Sequence, residues 1–319
     1  MCYVVQHMIK KISMNSIALP DNGRQIAIID LGSVRAKVSI FNRNDLAIFY
    51  QKSYDTFLGK DLKEDKIISE EALVNLEEAF LDIQKIIQNQ RIFIVKCIAT
   101  DAIRQAKNQD DVHYRFKKYF PDLVIEIIDQ IKEGDLFFGA VARNFEKNKI
   151  AVMDVGGGSV QFLYGEYKDG RAVIEHRFLL KTGTMRLQEK YSPDVNSISG
   201  LFGSAREDIA DLFDILNIKS DILVFGSTQM QNFMRASGIE INEDKSFRYH
   251  PFWVSQPSLN NLLEEVIQFP ASQRTHFYPE GGQFSYGADY LLLNVISAAK
   301  KIGATHIYPT NLNSSYGLL

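Results

Sequence analysis

Cysteine is nearly absent from this chain. Two in 319 residues, Cys2 and Cys97, build neither a disulfide framework nor a zinc site. Cys97 lies in the apolar run 92–99 and reads as a buried thiol, so a cytoplasmic compartment is expected. No stretch is long and apolar enough to span a membrane. Residues 1–24 contain Lys10 and Lys11 but no signal-type apolar run after them, and they read as an N-terminal extension. Positive charge is not in excess either. A net charge of −3 gives no broad footprint for nucleic acid, so an anionic ligand must be met by local Arg, Lys, backbone amides or a cation. The six histidines lack metal-ligand spacing. Gly-x-Gly-x-x-Gly and Gly-Lys-Ser/Thr are both missing, which argues against the dinucleotide fingerprint and the P-loop.

What the chain does have is a glycine hairpin, IAVMDVGGGSVQF, at 150–162. An apolar run ends in Asp154, then come Gly156, Gly157, Gly158 and Ser159, then a second strand-like run. Glycine lets consecutive N–H groups point at one anion, because no Cβ blocks the approach. An acid at the strand end can hold a divalent cation that the phosphate also touches. An ordinary turn with an exposed acid has the same outline, so this motif alone decides nothing. However, IAIIDLGSVRAKVSIF at 26–41 repeats it, with Asp30, Gly32 and Ser33 in the matching places. Two such units imply two related half-structures presenting hairpins to a shared cleft.

The rest of the pattern alternates. Strands are expected at 26–30, 36–41 and 46–53, and a helix follows Ser69 with Leu73, Leu76, Phe80, Ile83 and Ile87 on one face. A buried strand at 92–99, helical segments up to Pro121, a strand at 123–128 and a helix at 136–141 complete the first half. The second half repeats the scheme, with strands at 150–154, 160–166 and 172–181 and several helices, the strongest at 288–301 before Gly303. A strand meander followed by alternating helix and strand, twice, predicts an α/β protein of two similar domains with a cleft between them. The expected division is an extension at 1–24, a first domain at 25–135 and a second at 136–304, with the tail 305–319 returning to the first.

The ordered motifs resemble the exopolyphosphatase / guanosine pentaphosphate phosphohydrolase family, in its short two-domain form. Asp30-Leu31-Gly32-Ser33, ATDAIRQAKN at 99–108, MDVGGGS at 153–159 and LKTGTMRLQE at 180–189 carry the likeness, which runs from Ile26 to the C-terminus. The resemblance implies two actin-like (ribonuclease H-like) domains. It implies release of terminal phosphate from inorganic polyphosphate or a guanosine penta- or tetraphosphate, with Mg²⁺ or Mn²⁺. Glu133 aligns with the family's general base. Asp154 and Asp30 would hold the metal. Gly32, Ser33, Gly156, Gly157, Gly158, Ser159 and Arg104 would hold phosphate. No nucleic-acid or membrane partner is implied; a homodimer is common among similar proteins.

Four departures fall on polar site positions. The first hairpin reads Ser33-Val34-Arg35-Ala36-Lys37 where the family has Ser-Asn-Ser-x-Arg. Gln161 stands where the family has Glu. Only Glu133 survives of the family's Glu-Glu-Ala-Arg segment, and the tail 310–317 lacks an Arg often found there. A catalytically weak or inactive relative that binds a phosphorylated ligand as a sensor or partner protein is therefore the alternative. Arg186 is expected to pair with Glu189, three residues along its helix. Gly226-Ser227-Thr228 reads either as the far end of the cleft or as a helix cap.

Overall fold

The computed structural model describes residues 25–44, 47–59, 62, 65–192, 194–197, 202–226, 229–279 and 286–319. The expected extension at 1–24 and the residues Ser227 and Thr228 lie outside them. Two sheets of five strands organise the chain. In the first, β1 (Gln25–Leu31), β2 (Arg35–Asn42) and β3 (Ile48–Asp55) form an antiparallel meander, and β4 (Ile94–Ala99) and β5 (Ile125–Ile127) join β1 in parallel, in the order β3-β2-β1-β4-β5. In the second, β6 (Lys149–Val155), β7 (Val160–Lys168) and β8 (Arg171–Leu180) repeat the meander. There β9 (Ile222–Gly226) and β12 (His306–Thr310) add in parallel, giving β12-β9-β6-β7-β8. The same order and polarity twice is the duplication that the two hairpin motifs imply. A short pair, β10 (Asn242–Glu243) with β11 (Phe252–Trp253), adjoins β12 through a bridge between Val254 and Ile307 and was not legible in the sequence.

Alternation along the strands decides which layer covers which face. Ala27, Ile29 and Leu31 pack under α1 (Glu70–Asn89) and α3 (Gln109–Tyr119). Ser69 caps α1 by accepting the Ala72 N–H, and Glu70 and Glu71 complement the positive helix end. On the other face Ile26 and Ile28 meet Phe137, Phe138 and Val141 of α4 (Gln130–Ala142). In the second sheet Ala151, Met153 and Val155 face α6 (Phe202–Phe213), α8 (Gln256–Val266) and α10 (Ala288–Ile302), while Ile150 and Val152 share the α4 cluster. Thus α4 is packed against both sheets. Each fully buried Phe or Val contributes about 1.5–3 kcal/mol, so the position of α4 relative to both hairpins is firmly held.

Several expected boundaries shift. The helix expected at 136–141 begins at Gln130, because Asp129 caps it by accepting the Lys132 N–H at 2.7 Å. The domain division expected at 135/136 therefore falls inside one continuous helix. The tail 305–319 does not return to the first domain as a unit, since 306–310 pairs with β9 in the second sheet. The last residues of the chain do reach across: Tyr316 packs edge-on against Phe41, and Lys96 Nζ donates to the Leu318 carbonyl at 2.8 Å. The helical stretch after Thr100 splits into α2 (Asp101–Gln105) and α3, with extended backbone at Ala106 between them. The remaining helices are α5 (Thr184–Tyr191), α7 (Met230–Ala236) and α9 (Ala271–Phe277), the last unforeseen.

Candidate active site

The two hairpins are built alike. Leu31 pairs with Ala36 and Val155 with Val160, so each turn holds four residues between paired positions. Gly32 N–H donates to the Arg35 carbonyl at 2.9 Å, and Gly156 N–H donates to the Ser159 carbonyl at 3.0 Å. In both, turn carbonyls are bound from behind. Ser33 and Val34 carbonyls accept from the 56–59 segment. The Gly156 carbonyl accepts from Thr184 N–H at 3.0 Å, and the Gly157 carbonyl from Met185 and Arg186 at 2.9 and 3.1 Å. The carbonyls therefore face α5. Among the described residues, the N–H groups of Gly157, Gly158 and Ser159 donate to no carbonyl. Unpaired N–H groups on three exposed or half-exposed successive residues form an anion-binding concavity. Gly183 makes this possible: a Cβ there would collide with the backbone of Gly157, Gly158 and Ser159.

Strand alternation also explains where the acids point. Asp30 shares a strand face with Ile26 and Ile28, and Asp154 with Ile150 and Val152. Both faces are the ones α4 covers. Glu133 lies one turn before Phe137 on α4, on the same stripe. Three carboxylates from three elements thus converge. Their mutual influence is large: burial, then the charges of Asp154 and Asp30, push Glu133 up to about 8, with Arg104 opposing. Burial and then Asp30 push Asp154 up to about 6, opposed by Lys37. Burial raises Asp30, again opposed by Lys37. Both aspartates keep partial solvent contact, yet the protein around them is dense enough for desolvation to dominate.

The expected site residues meet different fates. Gly32, Ser33, Asp30, Gly156, Gly157, Gly158, Ser159, Asp154 and Glu133 gather around this point. Arg104 lies beside it, but its guanidinium is engaged. It donates to the Ile128 carbonyl at 2.6 Å and to Asp101 at 2.9 Å, and stands 3.8 Å from Glu133 Oε2. The anion fork expected of Arg104 is thus a bonded guanidinium facing the Glu133 carboxylate. Arg35 pairs across the strands, its Nε donating to Asp55 at 2.6 Å. The expected Arg186–Glu189 pair does not form; Arg186 has no ion-pair partner among the described residues.

Three further residues stand at this point, of which Gln130 alone went unremarked in the sequence. Lys37 is the cross-strand neighbour of Asp30, and Gln161 holds the same position opposite Asp154. Both lie seven residues after their acid, a spacing that was open to reading. Gln130 donates to the Ser159 hydroxyl at 3.2 Å, tying the start of α4 to the second hairpin. Gly134 lets the Gln161 carboxamide lie against α4, since a Cβ would strike Gln161 Oε1. Among the described residues no three His, Cys, Asp or Glu side chains group closely enough to hold a metal by themselves. Two desolvated aspartates with one nearby lysine nevertheless fit a cation of the Mg²⁺ kind, which takes one or two carboxylates and completes its shell with water and phosphate oxygen.

Duplicated β3-β2-β1-β4-β5 sheets with a carboxylate-bearing helix between paired hairpins define a two-domain protein of actin-like fold. The sequence model of the Ppx/GppA phosphatase family matches residues 38–279, and the chain belongs to that family. A crystal structure of the Aquifex aeolicus Ppx/GppA family member aligns with a TM-score of 0.76 at 20% identity, over 92% of this chain and 95% of that one. An exopolyphosphatase from Cytophaga hutchinsonii aligns with a TM-score of 0.74 at 19% identity, over 92% and 96%. Likeness at this identity speaks for the fold. Among curated proteins, a bifunctional 3-dehydroquinate synthase/phosphatase of Fusobacterium nucleatum is 31% identical over 179 residues, which are 52% of this chain and 26% of that protein. A putative exopolyphosphatase of Haemophilus influenzae is 25% identical over 147 residues, 46% of each. The chain thus spans less than half the length of these curated relatives. The family match starts at Val38, after the first hairpin, whose geometry is nonetheless that of the second.

Proposed function

We propose that this protein is a phosphohydrolase that releases terminal phosphate from inorganic polyphosphate or guanosine pentaphosphate. The observation that carries this reading is the convergence of Glu133, Asp30 and Asp154 between two hairpins with unpaired N–H groups. The N–H groups of 157–159, with that of Ser33 in the first hairpin, grip the terminal phosphate oxygens. Glu133 takes a proton from the attacking water as its oxygen bonds to phosphorus, and the bridging P–O bond breaks toward the remaining chain. A proton affinity raised into the neutral range suits a general base. Arg104 holds Glu133 from one side and balances its charge. Asp30 and Asp154 would hold Mg²⁺ or Mn²⁺. When bound, the cation neutralises charge on the transferred group.

The test is phosphate release from both substrates, with and without Mg²⁺, by the wild type and by Glu133→Gln. The expected result is metal-stimulated release that the variant loses by about two orders of magnitude or more, as for removal of a general base. Release from neither substrate, or undiminished release by the variant, overturns the reading. The Gln161 carboxamide in place of the family's Glu favours a second reading, a catalytically weak or inactive relative that binds a phosphorylated ligand as a sensor or partner protein. Saturable binding without turnover is its signature.

A further inference from the structure

The closing turn of the chain, Ser314–Leu318, joins the first sheet to α4. Tyr316 shares an apolar cluster with Ile26 and Ile28, which lie on the same face of β1 as Asp30. Lys96, the parallel neighbour of Ile28, donates to the Leu318 carbonyl. Toward α4, Arg143 Nη2 donates to the Tyr316 carbonyl at 2.9 Å, and the Gly317 backbone lies against that of Leu136. A Cβ on Gly317 would collide with the Cα, carbonyl carbon and carbonyl oxygen of Leu136.

Gly317 answers a need for space, not for conformation. Its φ is outside the left-handed region that Gly226 and Gly303 occupy. A turn that had only to bury Tyr316 could carry a side chain at 317. What excludes one is the helix backbone three residues after Glu133. The second sheet holds the same stretch of α4 by other means. Gln130 donates to the Ser159 hydroxyl, Gly134 admits the Gln161 carboxamide, and Asp135 accepts from Arg177 Nη2 at 2.7 Å. Residues 130–135 thus tie the start of α4 to the second hairpin, and the closing turn ties the next residue to the first sheet.

We propose that Gly317 is a positioning residue: its missing Cβ lets the closing turn seat on Leu136 and so sets the distance of Glu133 from Asp30 and the first hairpin. The role of Glu133 as base rests on the hydrolase reading above; the packing of the turn on α4 does not. Restoring ordinary contact around an added Cβ parts the two backbones by roughly 1 Å. A catalytic group displaced that far can lose about 100-fold in rate. The hairpin N–H groups, carried by other elements, keep their hold on phosphate.

Gly317→Ala tests it by kinetics and by amide hydrogen exchange. The expected kcat is lower by about tenfold or more, with KM within about twofold of wild type. In the Glu133→Gln background the same change should lower the remaining rate by less than about twofold, because the group it displaces is already gone. Exchange over 130–142 should speed up by about tenfold or more while 149–168 is unchanged. Arg143→Met removes one bond to the closing turn and adds no bulk there, so it should act in the same direction more mildly, with kcat down by about threefold. Equal losses of kcat in the wild-type and Glu133→Gln backgrounds, a KM rise as large as the kcat loss, or unchanged exchange over 130–142 in both variants would overturn the proposal. A wild type that releases no phosphate sinks the hydrolase reading instead, and exchange over 130–142 then decides alone whether the closing turn holds α4.

Discussion

Two glycine-to-alanine changes should separate the stability of the second hairpin from its capture of phosphate. A Cβ on Gly183 meets backbone atoms of Gly157, Gly158 and Ser159, none of which can swing aside as a side chain would. Overpacking of that kind costs about 1–3 kcal/mol. It also pries α5 from the turn, weakening the bonds that Thr184, Met185 and Arg186 donate to the Gly156 and Gly157 carbonyls. With about 1 kcal/mol lost over these three weakened bonds together, Gly183→Ala should cost about 2–4 kcal/mol in all, or about 4–16 °C in the Tm of the second domain. A Cβ on Gly158 meets nothing within 4 Å. Gly158→Ala should therefore change stability by no more than about 0.5 kcal/mol. Its methyl group instead stands where an anion approaches the unpaired N–H groups. Thermal unfolding with and without pyrophosphate distinguishes the two. At a hundredfold excess over Kd, bound ligand should stabilise the wild type by about 2.7 kcal/mol, and Gly158→Ala should lose most of that gain. If Gly158→Ala keeps the full ligand-induced shift, or lowers the ligand-free Tm as much as Gly183→Ala does, the N–H groups of this hairpin are not the anion site.

Two further outcomes rest on individual contacts. Arg104 is bonded to Ile128 and Asp101 and faces Glu133, so Arg104→Met should lower kcat about tenfold through the misplaced base and leave KM within about twofold. A KM rise as large as the kcat loss would instead show that Arg104 grips substrate. His250 is fully buried, with Nε2 3.0 Å from the Thr310 hydroxyl, and burial pushes it down to about 3. The unfolded chain protonates near pH 6.5 and the folded one does not, so this contribution is fully present above 6.5 and is lost as pH falls toward 3. From about pH 7.5 to about pH 5 the loss is about 2 kcal/mol. Denaturant unfolding of His250→Phe, which packs the same site between Phe145 and Tyr308, should lack that increment. An unchanged pH dependence would refute the assignment.

How far the sequence spoke depends on how local each cause is. Both hairpins were legible because their determinants, an apolar alternation closed by an acid and glycine, lie within about a dozen residues. The start of α4 was not. Segment 130–135, Gln-Ile-Lys-Glu-Gly-Asp, has a glycine and little apolar periodicity, so it reads as a loop until Asp129 is seen to cap it and Gly134 to admit Gln161. Glu133 therefore sits in a helical turn that its own residues do not announce. Strands β10 and β11 have two residues each, too short for any periodic signal. Gly183 looked like part of a motif, while its physical reason, contact with a turn some 25 residues earlier in the chain, needed the fold.

The departures from the family pattern acquire a common logic in three dimensions. The hairpins share turn length and hydrogen bonding, so their difference is electrostatic rather than conformational. Asp30 faces Lys37, a fixed cation whose charge opposes the upward shift of both aspartates. Asp154 faces Gln161, a neutral group held against Gly134. A second carboxylate at 161 would add negative charge next to a glutamate already pushed up to about 8. Gln161 spares Glu133 that repulsion and gives up a charge that would attract a cation. By this reasoning Gln161→Glu should strengthen Mg²⁺ dependence and weaken turnover in its absence, and phosphate release titrated against Mg²⁺ would refute it if the two proteins gave the same curve.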